Sequence, residues 1–371
     1  MMETLKKIVM VVILIVLVIF INGCEDTATT TEIFPDGSCK RTVVVKSNSD
    51  EIFKYGFPLP TDPSWDIKEK WEQEKRKQSF GSSKQFIYTA EKFFPEVSDL
   101  NLEYAQTSGD PLKINVEVKL EKRFAWFFSY LTYREVYRAF YPFEPIPLED
   151  YFSPEELEIL KLQLTDEEKS KEIYPEETLQ KMDEKFEEWY ARCIFEEFHR
   201  VVLEGAKQLK DSELTPEFIE SQKEALYKAI STDYEFLDEV PICSQMLEKY
   251  EEVLKSSDVR KIRAQDEEVF LQLEDKFRAW ENVILDEFTN TVTLPGLITD
   301  TNAGTVTGNR VMWKFGAGDL LIGDYEMWVT SRRVNWWMVG IAGFVLLVVI
   351  FIFTAGALPR LKRRDNGPGK K

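Results

Sequence analysis

The sequence predicts an α+β fold: a membrane-proximal β-rich domain with a large, acidic, antiparallel helical insert, followed by a C-terminal transmembrane helix. Three observations lead to this prediction. Residues 29–141 and 287–331 are rich in β-branched and aromatic residues with period-two alternation, which is typical of strands. Residues 153–286 are dense in Glu, Lys and Leu at helical spacing. Residues 336–358 are uncharged and would form a helix about 35 Å long, enough to cross a bilayer.

The N-terminus has the pattern of a bacterial secretory signal. Two lysines precede an apolar run of about 14 residues, which is too short to span a bilayer. The order Ile21-Asn22-Gly23-Cys24 resembles the lipobox of bacterial lipoproteins. Residues 1–23 are therefore predicted to be a lipoprotein-type signal peptide, and Cys24 is the predicted site of lipidation by palmitate or a similar chain. The alternative is an uncleaved signal anchor. Both leave the following chain outside the cytoplasm.

The C-terminal segment at residues 334–359 is predicted to cross the membrane once. The basic tail, residues 360–371, places the far side of this helix in the cytoplasm. Both termini then agree on one location, the bacterial cytoplasmic membrane, with the main domain extracytoplasmic. Tryptophans suit the headgroup level, and arginines beside them are expected to contact lipid phosphates. The residues predicted at this interface are Arg332, Arg333, Trp336 and Trp337.

Residues 24–150 and 287–333 are predicted to be the first and second parts of the β-rich domain. The turn Pro35-Asp36-Gly37-Ser38 lies between two β-branched segments and indicates a hairpin. Residues 63–77 are predicted to be a short helix that starts at a proline. Residues 123–141 are crowded with aromatic side chains and are predicted to be one long strand that is packed on both faces. A stacking platform for sugars or a lipid-contacting surface is the other interpretation of that stretch.

Residues 151–286 are predicted to be the helical insert. Ser153-Pro154-Glu155-Glu156 is typical of a helix start, because it combines a capping residue, a first-turn proline and acids that suit the helix dipole. Apolar stripes then mark further helices, and their short connections indicate an antiparallel bundle. Cys193 and Cys243 lie on two of these apolar faces, and an oxidising compartment would permit a disulfide between them.

Composition argues against several classes of function. The formal net charge is −18 at pH 7, and a surface of this sign repels nucleic acids. The chain has one histidine, His199, which we expect to be exposed on a helix. A Ser-His-Asp hydrolase would have to use it, and the sequence contains neither Gly-x-Ser-x-Gly nor Ser-x-x-Lys. One Glu-x-x-His motif is too few for a di-iron bundle, and no Cys-x-x-Cys spacing occurs. We therefore predict no enzyme activity, metal or cofactor.

The closing β segment resembles a known family. Thr291-Val292-Thr293-Leu294-Pro295-Gly296, a turn at residues 302–304 and Val311-Met312-Trp313 are followed closely by the membrane helix and the basic tail. This arrangement resembles the membrane-proximal domain of LppM-type bacterial lipoproteins. The resemblance implies a lipobox, a β-rich domain and a C-terminal membrane helix, with no established catalytic activity.

Two hypotheses for function follow. The first is a non-enzymatic, envelope-anchored lipoprotein whose extracytoplasmic domain acts as a scaffold or interaction module at the membrane surface, with membrane lipids and an envelope protein as its partners. The alternative is a lipid- or glycan-binding protein that uses an aromatic-lined cavity of the β domain. The candidate contact residues for a ligand or partner are Trp126, Tyr130 and Trp313.

Overall fold

The computed structural model describes residues 26–48, 51–73, 84–106, 109–144, 146–209, 214–231, 241–284 and 286–362. Within these ranges it contains eleven β-strands and eleven α-helices, so the predicted α+β class is confirmed. Cys24 and the predicted signal peptide lie outside the described residues, as does the end of the basic tail from residue 363 onward.

The strands form two sheets. The first has the order β3-β4-β2-β1-β7-β10-β9 and the second β5-β6-β11-β8. Strand β1 pairs with β7 in parallel and with β2 in antiparallel orientation, so the chain after the helical insert returns to the sheet beside its own beginning. The bounds are β1 (Asp26–Ile33), β2 (Cys39–Ser47), β3 (Asp66–Gln73), β4 (Lys84–Phe94), β5 (Val116–Ala125), β6 (Phe128–Tyr137), β7 (Glu287–Thr293), β8 (Leu297–Thr301), β9 (Thr305–Thr307), β10 (Arg310–Gly316) and β11 (Tyr325–Val334).

The second sheet defines two ends of the β domain. Tyr325 pairs with Tyr137 where β11 begins, and Val334 pairs with Phe128 where it finishes. The long C-terminal helix starts at Trp336, two residues after Val334. We call the Val334 end the junction end and the Tyr325 end the far end.

Strand β1 starts at the far end and runs toward the junction end. Asp26 pairs with the first residue of β7. The second residue of β7, Phe288, packs against Tyr137, with 6.0 Å between the ring centroids. Beyond the last residue of β7, Gly296 lies against the backbone of Arg332, close to the junction end. The described chain therefore enters the β domain at the end away from the C-terminal helix.

A buried ion pair joins the two sheets inside the β core. The Arg41 guanidinium donates to both carboxylate oxygens of Glu135, at 2.7 and 3.1 Å, and neither side chain is exposed. Tyr133 and Asn290 also donate to this carboxylate, at 2.6 and 2.9 Å. Burial alone would raise the pKa of Glu135, but the charge of Arg41 and these hydrogen bonds outweigh it, so the pKa is lowered. The carboxylate therefore stays ionised in the core.

The helices between the two parts of the β domain form a separate layer with its own core. The chain leaves the β domain after Tyr137 and returns at Glu287, both at the far end, so this layer lies beyond that end. Ser153 forms the predicted cap, a reciprocal pair with Glu156. The helices are α1 (Ser98–Ala105) in the β domain, α2 (Pro154–Thr165), α3 (Glu167–Ile173), α4 (Glu176–Gln208), α5 (Pro216–Ser221), α6 (Lys223–Ser231), α7 (Ile242–Leu254), α8 (Val259–Gln265), α9 (Glu267–Ile284), α10 (Ala317–Ile322) and α11 (Trp336–Lys362).

The core of the helical layer extends beyond the predicted insert. Phe143 and Leu148, which precede residue 151, are buried in it, as is Leu321 from α10. Helix α9 joins the two cores, since Trp280 packs in the helical layer while Val283 packs in the β domain.

Two of the predicted elements are wrong. Residues 63–77 were expected to form a helix, yet Pro63 lies in a turn and edge strand β3 follows. Alternating Lys and Glu in β3 protect an edge strand from further pairing. Because this strand has no buried apolar face, its sequence lacks the alternation by which strands are predicted. Residues 123–141 form a hairpin instead of one long strand: β5 ends at Ala125, which pairs with Phe128 of β6.

Candidate membrane-facing surface

The tip of the β5–β6 hairpin is a two-residue turn made of Trp126 and Phe127. Trp126 has a φ of 52°, the left-handed region, which costs a residue other than glycine about 1 to 2 kcal/mol. Its side chain is 71% exposed. The first position of such a turn favours glycine, so an exposed tryptophan there makes the hairpin tip a candidate functional site.

Asn335 ties this tip to the start of α11. Its backbone N–H donates to the carbonyl of Phe127, and its side-chain amide donates to the carbonyl of Trp126, both at 2.8 Å. The amide oxygen accepts a 2.8 Å hydrogen bond from the Ser129 hydroxyl. Asn335 is 4% exposed, so the bonds are shielded from water. The hairpin and the helix are therefore joined directly, without a flexible linker.

Aromatic side chains of the hairpin also pack along α11. The ring of Phe124 stacks on Trp337, with centroids 5.9 Å apart. The two tip residues line a groove with one apolar face of α11, from Met338 to Val349. We call the exposed aromatic set at this end the junction surface; it comprises Phe124, Trp126, Phe127, Trp336 and Trp337.

Helix α11 has the length and composition of a membrane-spanning helix. Its stretch Trp336–Thr354 is 19 residues long, strongly apolar and without any buried share. In the part of the chain that the structure describes, it is the one helix that meets these criteria. The junction surface lies at the start of this stretch, where two of the four predicted interface residues, Trp336 and Trp337, are exposed.

One of the other two predicted interface residues, Arg332, belongs to an arginine cluster near the junction end. Arg332 of β11 and Arg123 of β5 both pair with Tyr130 of β6, so the three side chains share the outer face of the second sheet. The guanidinium of Arg123 lies 4.7 Å from the ring centroid of Tyr130, and that of Arg332 lies 4.7 Å from the ring centroid of Phe128. Arg333 is exposed too, but it pairs with Ser129 and its side chain therefore lies on the opposite face of the strand.

The structure separates the three predicted contact residues. Trp126 lies at the hairpin tip and Tyr130 on the outer face of the second sheet. Trp313 is only 1% exposed and lies in the β core, where its indole N–H donates to Asn302 at 2.9 Å. They do not line one cavity, because Trp313 fills the space between the sheets.

The disulfide that the sequence would permit between Cys193 and Cys243 is not formed. Cys193 and Cys243 are free, buried thiols in different surroundings. The sulfur of Cys193 accepts from the N–H of Ile146 at 3.4 Å, whereas the thiol of Cys243 points to the carbonyl of Phe270 at 3.8 Å. Each thiol therefore packs against a different element.

His199 was expected to be exposed, but it is 1% exposed because α5 and α7 cover that face of α4. Its Nε2 lies 3.0 Å from the Glu220 carboxylate, which can only accept, so Nε2 donates and Nδ1 accepts from the Tyr250 hydroxyl at 2.8 Å. Glu196, the acid of the Glu-x-x-His spacing, pairs instead with Arg192 and Lys223. Among the described residues, no group of three or more His, Cys, Asp or Glu side chains is placed to hold a metal ion.

Two residues of the candidate site are not apparent from the sequence. Asn335 has a signal, since asparagine is favoured at the position just before a helix. This signal does not reveal its bond to a hairpin residue 209 positions away in the chain. Arg123 has no signal of its own, because its place beside Arg332 depends on the position of the hairpin turn.

Comparisons with known proteins add little. No family model matches the chain, and no curated protein matches it. Among solved structures, it is similar to the NMR structure of the folded domain of LppM from Mycobacterium tuberculosis, with a TM-score of 0.27 and 10% identity, over 85% of this chain and 93% of that chain. This is a weak likeness at the level of the fold, which supports the predicted resemblance to that extent and carries nothing about function.

Proposed function

We propose that the protein is a non-enzymatic module that α11 anchors in the bacterial cytoplasmic membrane, with its β domain fixed on the outer surface and its acidic helical layer presented to a partner in the envelope. The observation that supports this most directly is the set of hydrogen bonds from Asn335 to the hairpin tip. Because these bonds join the β domain to the first residue before α11, a helix that spans the bilayer also sets the height and tilt of the domain.

The side chains at the junction end suit this position. Tryptophan is favoured at headgroup level, and the junction surface supplies Trp126, Trp336 and Trp337 there. The helical layer lies beyond the far end, so its acidic surface is held away from anionic headgroups and faces the envelope. Lipidation of Cys24 remains part of the proposal as a second attachment.

The reactive groups of the described chain support a role without catalysis. Both ring nitrogens of His199 are already hydrogen-bonded inside the helical layer. Burial raises the pKa of Cys39 to about 11 and that of Cys193 to about 12, so neither thiol forms a nucleophilic thiolate at neutral pH.

A cross-linking experiment tests the proposal. In the full chain, in its native membrane, Phe124→Cys with Trp337→Cys should cross-link efficiently through a short thiol-reactive linker, because the two rings are stacked. The matched control is Phe124→Cys with Phe344→Cys, which places the second thiol seven residues further along the same helix. Asn335→Ala should reduce the first cross-link strongly. Equal yields from both cysteine pairs would show that the domain is not fixed to the helix and would overturn the proposal.

A further inference from the structure

The arginines near the junction end differ from most others in this chain in lacking acidic partners. Most of the other described arginines are paired with acids, for example Arg134 with Glu326, and Arg138 with both Asp324 and Glu117. Further pairs are Arg41 with Glu135, Arg192 with Glu196, Arg200 with Glu197 and Arg260 with Glu251. Within the described ranges, Arg123, Arg332 and Arg333 form no ion pair, although the chain has 65 acidic residues.

We propose that Arg123, Tyr130 and Arg332 form a binding site for the headgroup of an anionic phospholipid in the outer leaflet. The inference rests on the proposed function in one respect, that α11 spans the bilayer. It goes further by naming the lipid class and the residues that recognise it.

The geometry of the cluster favours a phosphate. The rings of Tyr130 and Phe128 hold the two guanidinium groups in place at 4.7 Å and supply no hydrogen-bond acceptor on their faces, so the N–H groups remain available. Guanidinium groups bind phosphate oxygens through two parallel hydrogen bonds, which an ammonium cannot do. Because Arg123 and Arg332 flank the same residue of β6, both can reach one headgroup.

The depth of the cluster fits a headgroup. Arg332 precedes Val334 by two strand residues, about 7 Å, and α11 begins two residues after Val334. The arginines therefore lie just outside the apolar stretch, while Trp126 and Phe127 extend along α11 and line the groove with it. An acyl chain of the bound lipid would follow this apolar groove.

The charge of the rest of the protein makes the site selective. A domain with a net negative charge repels anionic lipid, and the arginine cluster provides a local exception at the membrane surface. A zwitterionic lipid gains less from the same contacts, because its headgroup carries a compensating positive charge.

The test measures lipid retention by the purified full-length protein in detergent, by native mass spectrometry with added dioleoyl phosphatidylglycerol or dioleoyl phosphatidylcholine. The wild type should retain phosphatidylglycerol in preference to phosphatidylcholine. Arg123→Gln with Arg332→Gln should weaken its apparent affinity by about fivefold per arginine. The charge-matched control, Lys46→Gln with Lys314→Gln, removes two exposed cations from the far half of the first sheet and should retain the lipid as the wild type does.

Three results would overturn the inference: equal retention by the wild type and the arginine variant, an equal loss in the lysine control, or displacement of the lipid by millimolar inorganic phosphate, which would indicate a site for free phosphate. Arg123→Lys with Arg332→Lys keeps the charge and should lose part of the affinity, because the lysines lack the planar fork. The cross-link between positions 124 and 337 should persist in all these variants. A wild-type protein that shows the cross-link but no preference for phosphatidylglycerol would therefore contradict this inference and leave the proposed function standing.

Discussion

His199 makes the stability of the helical layer depend on pH. Burial lowers its pKa below 6.5, and the hydrogen bond to Glu220 offsets only part of that shift. Below pH 6.5 the unfolded chain therefore binds more protons at this site than the folded one, so the free energy of unfolding falls as the pH drops from 6.5 through the folded-state pKa. We expect chemical unfolding in detergent to show lower stability at pH 5.5 than at pH 7.5.

His199→Gln should remove most of this pH dependence, because the chain contains one histidine. If the free energy of unfolding of this variant still fell equally with decreasing pH, the pH dependence would belong to other titratable groups.

The Arg41–Glu135 pair should matter most when only one partner is removed. Glu135→Gln leaves the Arg41 charge buried without compensation, and we expect a loss of about 3 to 5 kcal/mol. Arg41→Met with Glu135→Leu removes both charges and should be less destabilised than either single variant. Because the pKa of Glu135 is lowered, its contribution is present above about pH 4.5 and is lost as the pH falls through the folded-state pKa. Additive losses in a double-mutant cycle would show that the two charges do not interact.

At the hairpin tip, the positive φ of Trp126 allows the cost of backbone strain to be measured separately from the effect of losing the side chain. Trp126→Gly should be more stable than Trp126→Ala by about 1 kcal/mol, since glycine alone adopts a φ of 52° without strain. The neighbouring position is the control: Phe127 has no positive φ, so Phe127→Gly should not be more stable than Phe127→Ala. Thermal unfolding of the four variants gives the comparison. A gain from glycine at both positions would reflect a flexible turn instead.

At the scale of elements, the connection between β11 and α11 determines where a flexible insertion can test whether the helix is held rigidly against the β domain. Strand β11 continues to Val334, so a flexible insertion after Ser331 would break its pairing with β6. An insertion of Gly and Ser after Asn335 leaves the strand intact and separates only the helix. We expect it to lower the cross-link between positions 124 and 337 strongly, whereas the same insertion after Asn366, in the tail, should not. Equal yields would mean that the packing of Phe124 against Trp337 alone holds the two elements together.

Elements that carry a local signal, such as a turn or capping residue or an alternation of buried and exposed side chains, could be predicted from the sequence. Elements without such a signal could not. The β1–β2 hairpin follows from its Pro-Asp-Gly turn, and α2 follows from Ser153. The β5–β6 turn was missed because Trp126 occupies a position where glycine is the usual signal. The buried environment of His199 was missed because Glu220 and Tyr250 come from two other helices, which the sequence of α4 does not reveal.

At the scale of the whole molecule, the shared core limits how the helical layer can be separated. A fragment of residues 153–286 lacks Phe143, Leu148 and Phe152, all of which are buried in the helical core. Residue Phe143 packs on Trp280, with 5.1 Å between ring centroids, so its loss leaves that indole uncovered. A fragment that starts at residue 140 should therefore melt several degrees higher than one that starts at residue 153, since each buried aromatic contributes about 3 kcal/mol. Equal melting temperatures by circular dichroism would show that this segment adds no stability.

The direction of β1 limits how the two ends of the chain can be tethered. Its 8 residues cover about 26 Å, from the far end to the junction end. The chain between Cys24 and Asp26 reaches only about 7 Å. An acyl chain on Cys24 therefore cannot enter the leaflet around α11 while β1 is fully paired. If both ends of the chain are attached to one bilayer, β1 must therefore give up part of its pairing with β2 and β7, so the second attachment would be made at the expense of the sheet.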